Sequence, residues 1–313
     1  MSKVGKMAFW KKPIPDEWRS PTFWKETGWA YVYLAPAIGI LALFTFYPFF
    51  QAFWLSLFKV KVTAFPGTYI GLDNFRYIFG DRYFWQALWN TLTIVGISVP
   101  VTISLALVVA SLLNRPLRGR TFARTSFFLS YITPMVAVIM VWRLMYNESY
   151  GLLNYLLNVF GINRVAWLNE PAFALPSVII LSVWRFVGYQ AIILLAGMQG
   201  IDQMYYEAAR IDGASGFQIW RKITVPLLTP QIFFLLIISM IGSFKIFTEV
   251  YVLFNGAGPL NAAETLVYYI MRQGFFGTQH IGRAAAASII LFAIIFVVTL
   301  LQMQIAKRRV HYQ

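Results

Sequence analysis

Long apolar segments separated by short polar stretches dominate the chain. Six of these segments hold the roughly 20 apolar residues that a helix needs to cross the hydrocarbon core of a bilayer. The pattern therefore predicts an all-α integral membrane protein, built as a bundle of six transmembrane helices. The predicted spans lie near residues 29–55, 88–113, 125–146, 173–197, 230–254 and 283–305.

Composition supports the membrane class and excludes several others. The 313 residues are 59% hydrophobic and only 12% charged, whereas soluble domains carry about 25% charged residues. The chain has no Cys and two His, so we expect neither a disulfide framework nor a metal site. Residues 1–28 are polar and lack the short apolar stretch of a cleaved signal peptide.

Positive charge indicates the orientation. Six spans place both termini on one side, and that side holds most of the Lys and Arg residues. Because cytoplasmic loops are enriched in these residues, we expect both termini to be cytoplasmic, in a prokaryotic plasma (inner) membrane. The net charge of +14 then reflects topology, and no nucleic acid is expected as a partner. The residues on this side are Lys3, Lys6, Lys11, Lys12, Arg19, Lys25, Arg115, Arg118, Arg120, Arg124, Arg210, Arg221, Lys222, Lys307, Arg308 and Arg309.

The spans and their orientation divide the chain into three parts. Residues 1–28 are expected to form a cytoplasmic N-terminal segment and residues 307–313 a cytoplasmic tail. Residues 29–306 form the six-span domain, which includes a cytoplasmic loop at 198–229. Residues 59–87, on the outer side, have aromatic residues at roughly helical spacing, which is typical of an interfacial helix or of a packed outer loop.

The loop at 198–229 is far longer than a connection between neighbouring helices requires. Glu207 and Arg210 are spaced to meet on one face of a helix, and Ala208 and Ala209 allow another surface to approach closely. Gly213 supplies a stop or a left-handed turn. Ser215 can cap a second short helix. The pattern predicts a helix–turn–helix unit just outside the membrane.

The order Glu207-Ala208-Ala209, Asp212-Gly213-Ala214, then Ile223, Val225-Pro226 and Pro230 resembles the EAA motif of ABC-importer permease subunits. The only departure is Val225, where the family usually has Leu. The stretches "GLDNFRYIF", "WNTL", "GLLNYLL", "LAGMQGI" and "AAETLVYYI" resemble the permeases that handle oligosaccharides, glycerol-3-phosphate and related polyols. The likeness covers most of the chain.

The resemblance implies a type I importer fold and a set of partners. A second, homologous permease would complete the pore within the membrane lipid, a cytoplasmic ATPase dimer would bind below, and an extracytoplasmic binding protein would deliver a sugar-class substrate. The EAA segment would be the coupling helix that docks on the ATPase. Glu207 would meet a basic residue there, Gly213 would permit the turn, and Ala208 and Ala209 would lie at the closest contact, with Asp212 and Ala214 beside them.

The chain itself is expected to be non-catalytic and to bind no cofactor. It contains no P-loop Gly-x-x-x-x-Gly-Lys-Ser/Thr, so ATP and Mg²⁺ would be used by the partner ATPase subunits.

Polar residues deep in the fourth and fifth predicted spans are candidates for the substrate pathway, because such residues are costly in a membrane. Each has a structural alternative. Lys245 and Glu249, four residues apart, could neutralise each other, Arg185 could bind a carbonyl or the partner, and Gly242 could be a packing residue. The candidates are Arg185, Gly188, Tyr189, Gln190, Ser243 and Lys245.

Three alternatives remain open at this level. An integral-membrane enzyme would need paired carboxylates, a His cluster or a nucleophile with its base, and no such set is evident within the spans. An ion-coupled secondary transporter would not need the structured cytoplasmic loop. An ABC permease for a non-sugar solute would share the EAA motif, so the motif alone leaves the substrate undecided.

Overall fold

The structure is a computed structural model, and it describes residues 21–61, 64–116, 118–276 and 279–309. Most of the N-terminal segment 1–28 and the last four residues of the tail 307–313 lie outside these ranges. The chain divides into two compact units, residues 1–54 and 55–313. The first unit is helical in its described part: α1 (Pro21–Leu41) is followed by a π-helical turn, Ala42–Phe46, and by α2 (Tyr47–Ser56), which ends in the second unit.

The second unit is mostly helical, as the sequence predicts. It also contains an antiparallel β-hairpin that the hydrophobic pattern did not indicate. Its strands are β1 (Phe58–Lys61) and β2 (Ala64–Tyr69), and its further α-helices are α3 (Asp73–Gly80), α4 (Arg82–Leu113), α5 (Arg120–Ile132), α6 (Met135–Met145), α7 (Leu152–Val159), α8 (Pro171–Gln199), α9 (Gln203–Ile211), α10 (Gly216–Ile219), α11 (Val225–Leu227), α12 (Thr229–Phe244), α13 (Thr248–Phe254), α14 (Leu266–Met271) and α15 (Ile281–Arg309).

Among the described residues, four helical segments are long and apolar enough to cross a membrane by themselves. They are 21–56, α4, α8 and the part of α15 up to residue 306. Two further spans arise if each of two bent helix pairs is counted as one span, which gives the predicted six. One pair is α5 with α6, bent by 100°, and the other joins 216–227 to α12, bent by 63°.

The bend between α5 and α6 has a local cause. Pro134 follows Thr133, whose backbone is extended (φ −60°, ψ 135°). The ring of a proline disfavours helical backbone in the residue before it, so the helix ends there and α6 begins after Pro134. The predicted third span, 125–146, is therefore two helices.

The segment before the second predicted span, residues 59–87, is closer to the packed loop than to the interfacial helix. Only Asp73–Gly80 forms a separate short helix, with Ile78 fully buried. Asp81 caps the next helix by accepting a hydrogen bond from the Tyr83 amide at 3.0 Å, so α4 starts at Arg82 rather than at the predicted residue 88. The segment is thus a packed loop with a short helix.

The centre of the second unit is formed by α4 and α8, which pack along each other, with α12 against α4 and α5 against α8. Small buried residues such as Ala106, Ala110 and Ala191 lie at this centre beside Leu194 and Leu235. Small side chains allow helix backbones to approach closely in membranes. These four helices also form the cavity described below.

Candidate functional site

The charged segment at 198–229 folds into two short helices joined by a tight turn. Asp202 caps α9, and the helix ends in a Schellman motif. The Ala214 amide donates to the Ala209 carbonyl at 2.9 Å, and the Gly213 amide donates to the Arg210 carbonyl at 3.1 Å. This motif uses a left-handed residue, and Gly213 has a φ of +76°. The glycine turn predicted from the sequence is present.

The second helix begins with a capping box. The Gln218 amide donates to Ser215 Oγ at 3.4 Å, and the Ser215 amide donates to Gln218 Oε1 at 2.7 Å. The helix continues from α10 through a π-helical turn, Trp220–Thr224. Within it, Trp220 Nε1 donates to Ser111 Oγ at 2.9 Å. This contact attaches the loop to the C-terminal end of α4.

Among the described residues, one face of the loop is exposed and could contact a partner protein. Glu207, Ala208, Asp212 and Gly213 are exposed, and Ala209 and Ala214 are half-buried. No ion pair joins Glu207 to Arg210 among the described residues, so the local pairing that their spacing allows is not formed. A groove of about 430 Å³ lies beside the turn, lined by Ala209, Asp212, Gly213, Ala214, Gln218, Ile219, Lys222 and Ile223.

Two apolar side chains of this loop escaped the sequence analysis. Ile211 is 87% exposed and Phe217 is 67% exposed. The ring of Phe217 stacks on that of Trp220, with centroids 6.0 Å apart. Large exposed apolar groups beside charged residues are typical of a protein-binding surface. Their positions immediately beside the motif residues could have indicated them.

A cavity of about 240 Å³ lies between α4, α5, α8, α12 and the start of α13. Its walls are apolar with several polar side chains, which is the usual make-up of a small-molecule site. The lining residues are Ser98, Val99, Thr102, Tyr131, Ser182, Phe186, Tyr189, Gln190, Leu235, Ile238, Ser239, Gly242, Ser243, Ile246 and Glu249.

Polar atoms of the cavity wall are only partly satisfied by the protein. Gln190 Nε2 donates to Ser239 Oγ at 2.8 Å. Gln190 Oε1 and Ser98 Oγ are buried and have no hydrogen-bond partner in the described part of the chain. Across the wall, the rings of Tyr131 and Tyr189 are stacked with centroids 4.3 Å apart. Buried polar atoms normally have partners, so these two are available to a ligand.

The structure divides the six pathway candidates into two groups. Tyr189, Gln190 and Ser243 line the cavity. The other three do not line it. The Arg185 guanidinium contacts Met135 Sδ. A Cβ on Gly188 would come within 1.9 Å of the Phe127 carbonyl oxygen, so this glycine permits close packing of α8 on α5.

Lys245 illustrates a difference from the predicted fifth span. The span was expected to be continuous from 230 to 254, with Lys245 and Glu249 one turn apart. Instead α12 ends at Phe244, Lys245 is its exposed C-cap residue, and a new helix starts at Thr248. The described residues show no ion pair between Lys245 and Glu249, so the two do not neutralise each other.

Other lining residues were missed by the sequence analysis. Ser98 and Thr102 lie one turn apart on α4, and Ser182 and Ser239 lie on α8 and α12. Their signal is the same as that of Gln190, a polar side chain within an apolar span. Hydroxyl groups give a weak signal, because Ser and Thr can donate to the carbonyl one turn back within a helix, as Thr102 does.

Between α13 and α15, outside the spans, the chain contains a buried ion pair. Glu264 is fully buried, and its Oε1 lies 3.0 Å from Arg272 Nε. Neither carboxylate oxygen has hydrogen-bond geometry to a donor among the residues that the structure describes, so the contact is mainly electrostatic. Burial raises the pKa of Glu264 to about 7, although the Arg272 charge acts in the opposite direction.

Known proteins resemble this chain over most of its length. The family described as binding-protein-dependent transport system inner membrane component matches residues 99–311. The trehalose/maltose transport system permease protein MalF of Thermococcus litoralis is 32% identical over 287 residues, covering 91% of this chain and 96% of that protein. The lactose transport system permease protein LacF of Rhizobium radiobacter is 35% identical over 293 residues, covering 92% and 96%.

A solved structure agrees with these relatives. A chain in the crystal structure of a bacterial alginate ABC transporter, in complex with an alginate pentasaccharide-bound periplasmic protein, has a TM-score of 0.80 and 26% identity to this chain. The match covers 91% of this chain and 96% of that chain. The predicted fold class is thereby confirmed. The chain belongs to the binding-protein-dependent transport system inner membrane components, the permeases of ABC importers, as its EAA motif predicts.

Proposed function

We propose that the chain is a permease subunit of an ATP-driven importer, and that it forms part of the membrane passage for a saccharide or a related polyol. The observation that carries this proposal is that the loop and the cavity are both connected to the same helix, α4. A structured loop with an exposed face is attached to α4 at Ser111, and α4 also supplies Ser98 and Thr102 to a polar cavity.

The cavity has suitable chemistry for a saccharide. Sugars present many hydroxyl groups, and the wall offers hydroxyls, an amide and a carboxylate from Ser98, Gln190, Ser239 and Glu249. Relatives named for trehalose/maltose and lactose transport support the same class of substrate. The cavity of about 240 Å³ is smaller than the 300–1,000 Å³ typical of ligand pockets. A second permease would supply the rest of the passage.

The loop supplies the connection to ATP hydrolysis in this proposal. Its exposed face, with Glu207, Ile211 and Phe217, docks on a cytoplasmic ATPase subunit, and closure of an ATPase dimer displaces the loop. The Trp220–Ser111 hydrogen bond transmits that displacement to α4. The cavity then opens toward the side from which a binding protein delivers substrate. The periplasmic protein in the alginate transporter complex supports this partner.

The proposal assigns the chemistry to the partners. This chain binds no cofactor and hydrolyses no ATP, because its sequence contains no P-loop. ATP and Mg²⁺ are used by the ATPase subunits. Both termini and the loop at 198–229 face the cytoplasm, and the chain is held as a multi-pass protein in the plasma membrane.

Purification of the tagged chain from its native membrane tests the proposal. We expect an ATPase subunit and a second permease to be recovered with it in stoichiometric amounts. The isolated chain should show no saturable binding of an ATP analogue in the micromolar range. Recovery of the chain alone, together with solute uptake driven by an ion gradient, would instead indicate a secondary transporter.

A further inference from the structure

The charge of the cavity wall limits the class of substrate. Glu249 is the only charged side chain among the described residues that line the cavity. The remaining polar lining groups are uncharged: Ser98, Thr102, Tyr131, Ser182, Tyr189, Gln190, Ser239 and Ser243. We infer that this chain's half of the passage takes a neutral saccharide and rejects an acidic one, an inference that rests on the proposed function.

Neither of the two nearby cations offers a counter-charge to an acidic sugar. Arg185 contacts Met135 Sδ, and its guanidinium lies 5.9 Å from the Phe186 ring centroid. Arg185 does not line the cavity. Lys245 is exposed beyond the end of α12 and does not line the cavity.

Two acceptor groups of the wall, Gln190 Oε1 and the Glu249 carboxylate, favour hydroxyl groups over carboxylates. Gln190 is 2% exposed, and its Oε1 has no hydrogen-bond partner among the described residues. The amide oxygen of Gln190 accepts hydrogen bonds but cannot donate one. The same is true of the Glu249 carboxylate when it is ionised. A sugar hydroxyl donates to either group, whereas a sugar carboxylate has no proton to donate.

The protonation state of Glu249 does not reverse this preference. An ionised Glu249 repels an acidic sugar in a site where water screens charge weakly. A protonated Glu249 removes the repulsion, but it leaves the cavity without a positive charge to replace the hydration of the substrate's carboxylate. In both states the neutral sugar is favoured, by roughly tenfold or more.

This preference would distinguish the chain from one of its structural neighbours. The alginate transporter imports an acidic polysaccharide, while two relatives are named for the neutral sugars trehalose, maltose and lactose. Overall similarity therefore does not decide between a neutral and an acidic sugar as substrate. The charge of the residues that line the cavity distinguishes the two.

The test uses the complete importer, reconstituted in proteoliposomes with its own partner subunits and binding protein. Uptake of two labelled probes is compared: trehalose or lactose as the neutral probe, and a di-uronate of similar size as the acidic probe. Equilibrium dialysis of the same probes against the complex without its binding protein reports on the passage itself. Three forms are measured: wild type, Glu249→Gln, and the control Glu170→Gln, which makes the same chemical change at an exposed residue.

We expect wild type and Glu170→Gln to prefer the neutral probe by about tenfold or more in dialysis, and Glu249→Gln to reduce that preference at least threefold. Complex yield, measured by size-exclusion chromatography, checks that Glu249→Gln assembles. Equal binding and uptake of both probes by wild type, with no change in Glu249→Gln, would overturn the inference but leave the saccharide permease intact. Import of a non-carbohydrate solute with neither probe taken up would overturn the proposed function and the inference together.

Discussion

The glycine turn of the loop at 198–229 gives a sharp test of coupling, because no neighbouring atom of this chain limits the size of a side chain at Gly213. Gly213 has a φ of +76°, and a Cβ built on it meets nothing within 4 Å. Within this chain, a substituted residue there would therefore act through backbone conformation alone. Left-handed backbone costs an ordinary residue about 1–2 kcal/mol relative to right-handed backbone, while Asn tolerates this conformation.

The predicted effects follow this order. Gly213→Asn should behave nearly as wild type. Gly213→Ala should shift the equilibrium away from the observed turn by about 5- to 30-fold, since the two Schellman hydrogen bonds depend on that turn. Gly213→Val should be worse, because positive φ makes a β-branched residue a strained outlier. The matched control is Gly216→Ala, where φ is not positive and an added Cβ also meets nothing within 4 Å.

The assay measures substrate taken up per ATP hydrolysed in proteoliposomes that contain the assembled importer. We expect this ratio to fall in the order Asn, Ala, Val at position 213, with normal amounts of assembled complex. Gly216→Ala should keep the wild-type ratio. If Gly213→Val keeps it as well, the turn has no part in coupling and the reasoning from its geometry is wrong.

Three further predictions concern separate parts of the molecule. Glu207→Ala should weaken docking of the ATPase by about tenfold or more in a pull-down titration, because a basic residue of the ATPase would be left without its ion-pair partner. Unchanged docking would show that Glu207 does not lie in the interface. The raised pKa of Glu264 means that its contribution to stability is present below about pH 4.5 and is lost as the pH rises through about 7, an effect of about 3 kcal/mol. Glu264→Gln should therefore flatten the pH dependence of thermal unfolding across this range, and an unchanged slope would contradict the assignment. Because the chain has no Cys, single Cys residues can report topology: in intact cells an impermeant thiol reagent should label Cys at Leu260 but not at Ser215, and the reverse pattern would invert the orientation.

The sequence predicted the helical membrane fold and the helix–turn–helix form of the loop at 198–229 because both depend on local patterns. Apolar length indicates a span whatever lies around it, and Ser215, Gln218 and Gly213 form their caps within a few residues of the chain. The motif in the loop could also be recognised from the order of its residues alone. These features need no knowledge of how the helices are arranged.

The cavity was only partly predictable, because membership in its wall depends on how each helix is rotated. Arg185 and Tyr189 lie on the same helix at similar depth, yet only Tyr189 lines the cavity. Tyr131 joins the wall through its ring contact with Tyr189, which connects residues on different helices. The break after Phe244 removed the expected contact between Lys245 and Glu249, and no residue pattern in the span indicated that break.

ATP-driven uptake by the reconstituted importer tests the central claim most directly. Proteoliposomes are loaded with ATP and Mg²⁺, and labelled trehalose or lactose is added outside with the cognate binding protein. The account predicts accumulation that requires ATP, the binding protein and the ATPase subunits together, and that is lost when this chain is omitted. Accumulation that continues without the ATPase subunits, driven by an imposed ion gradient, would contradict it.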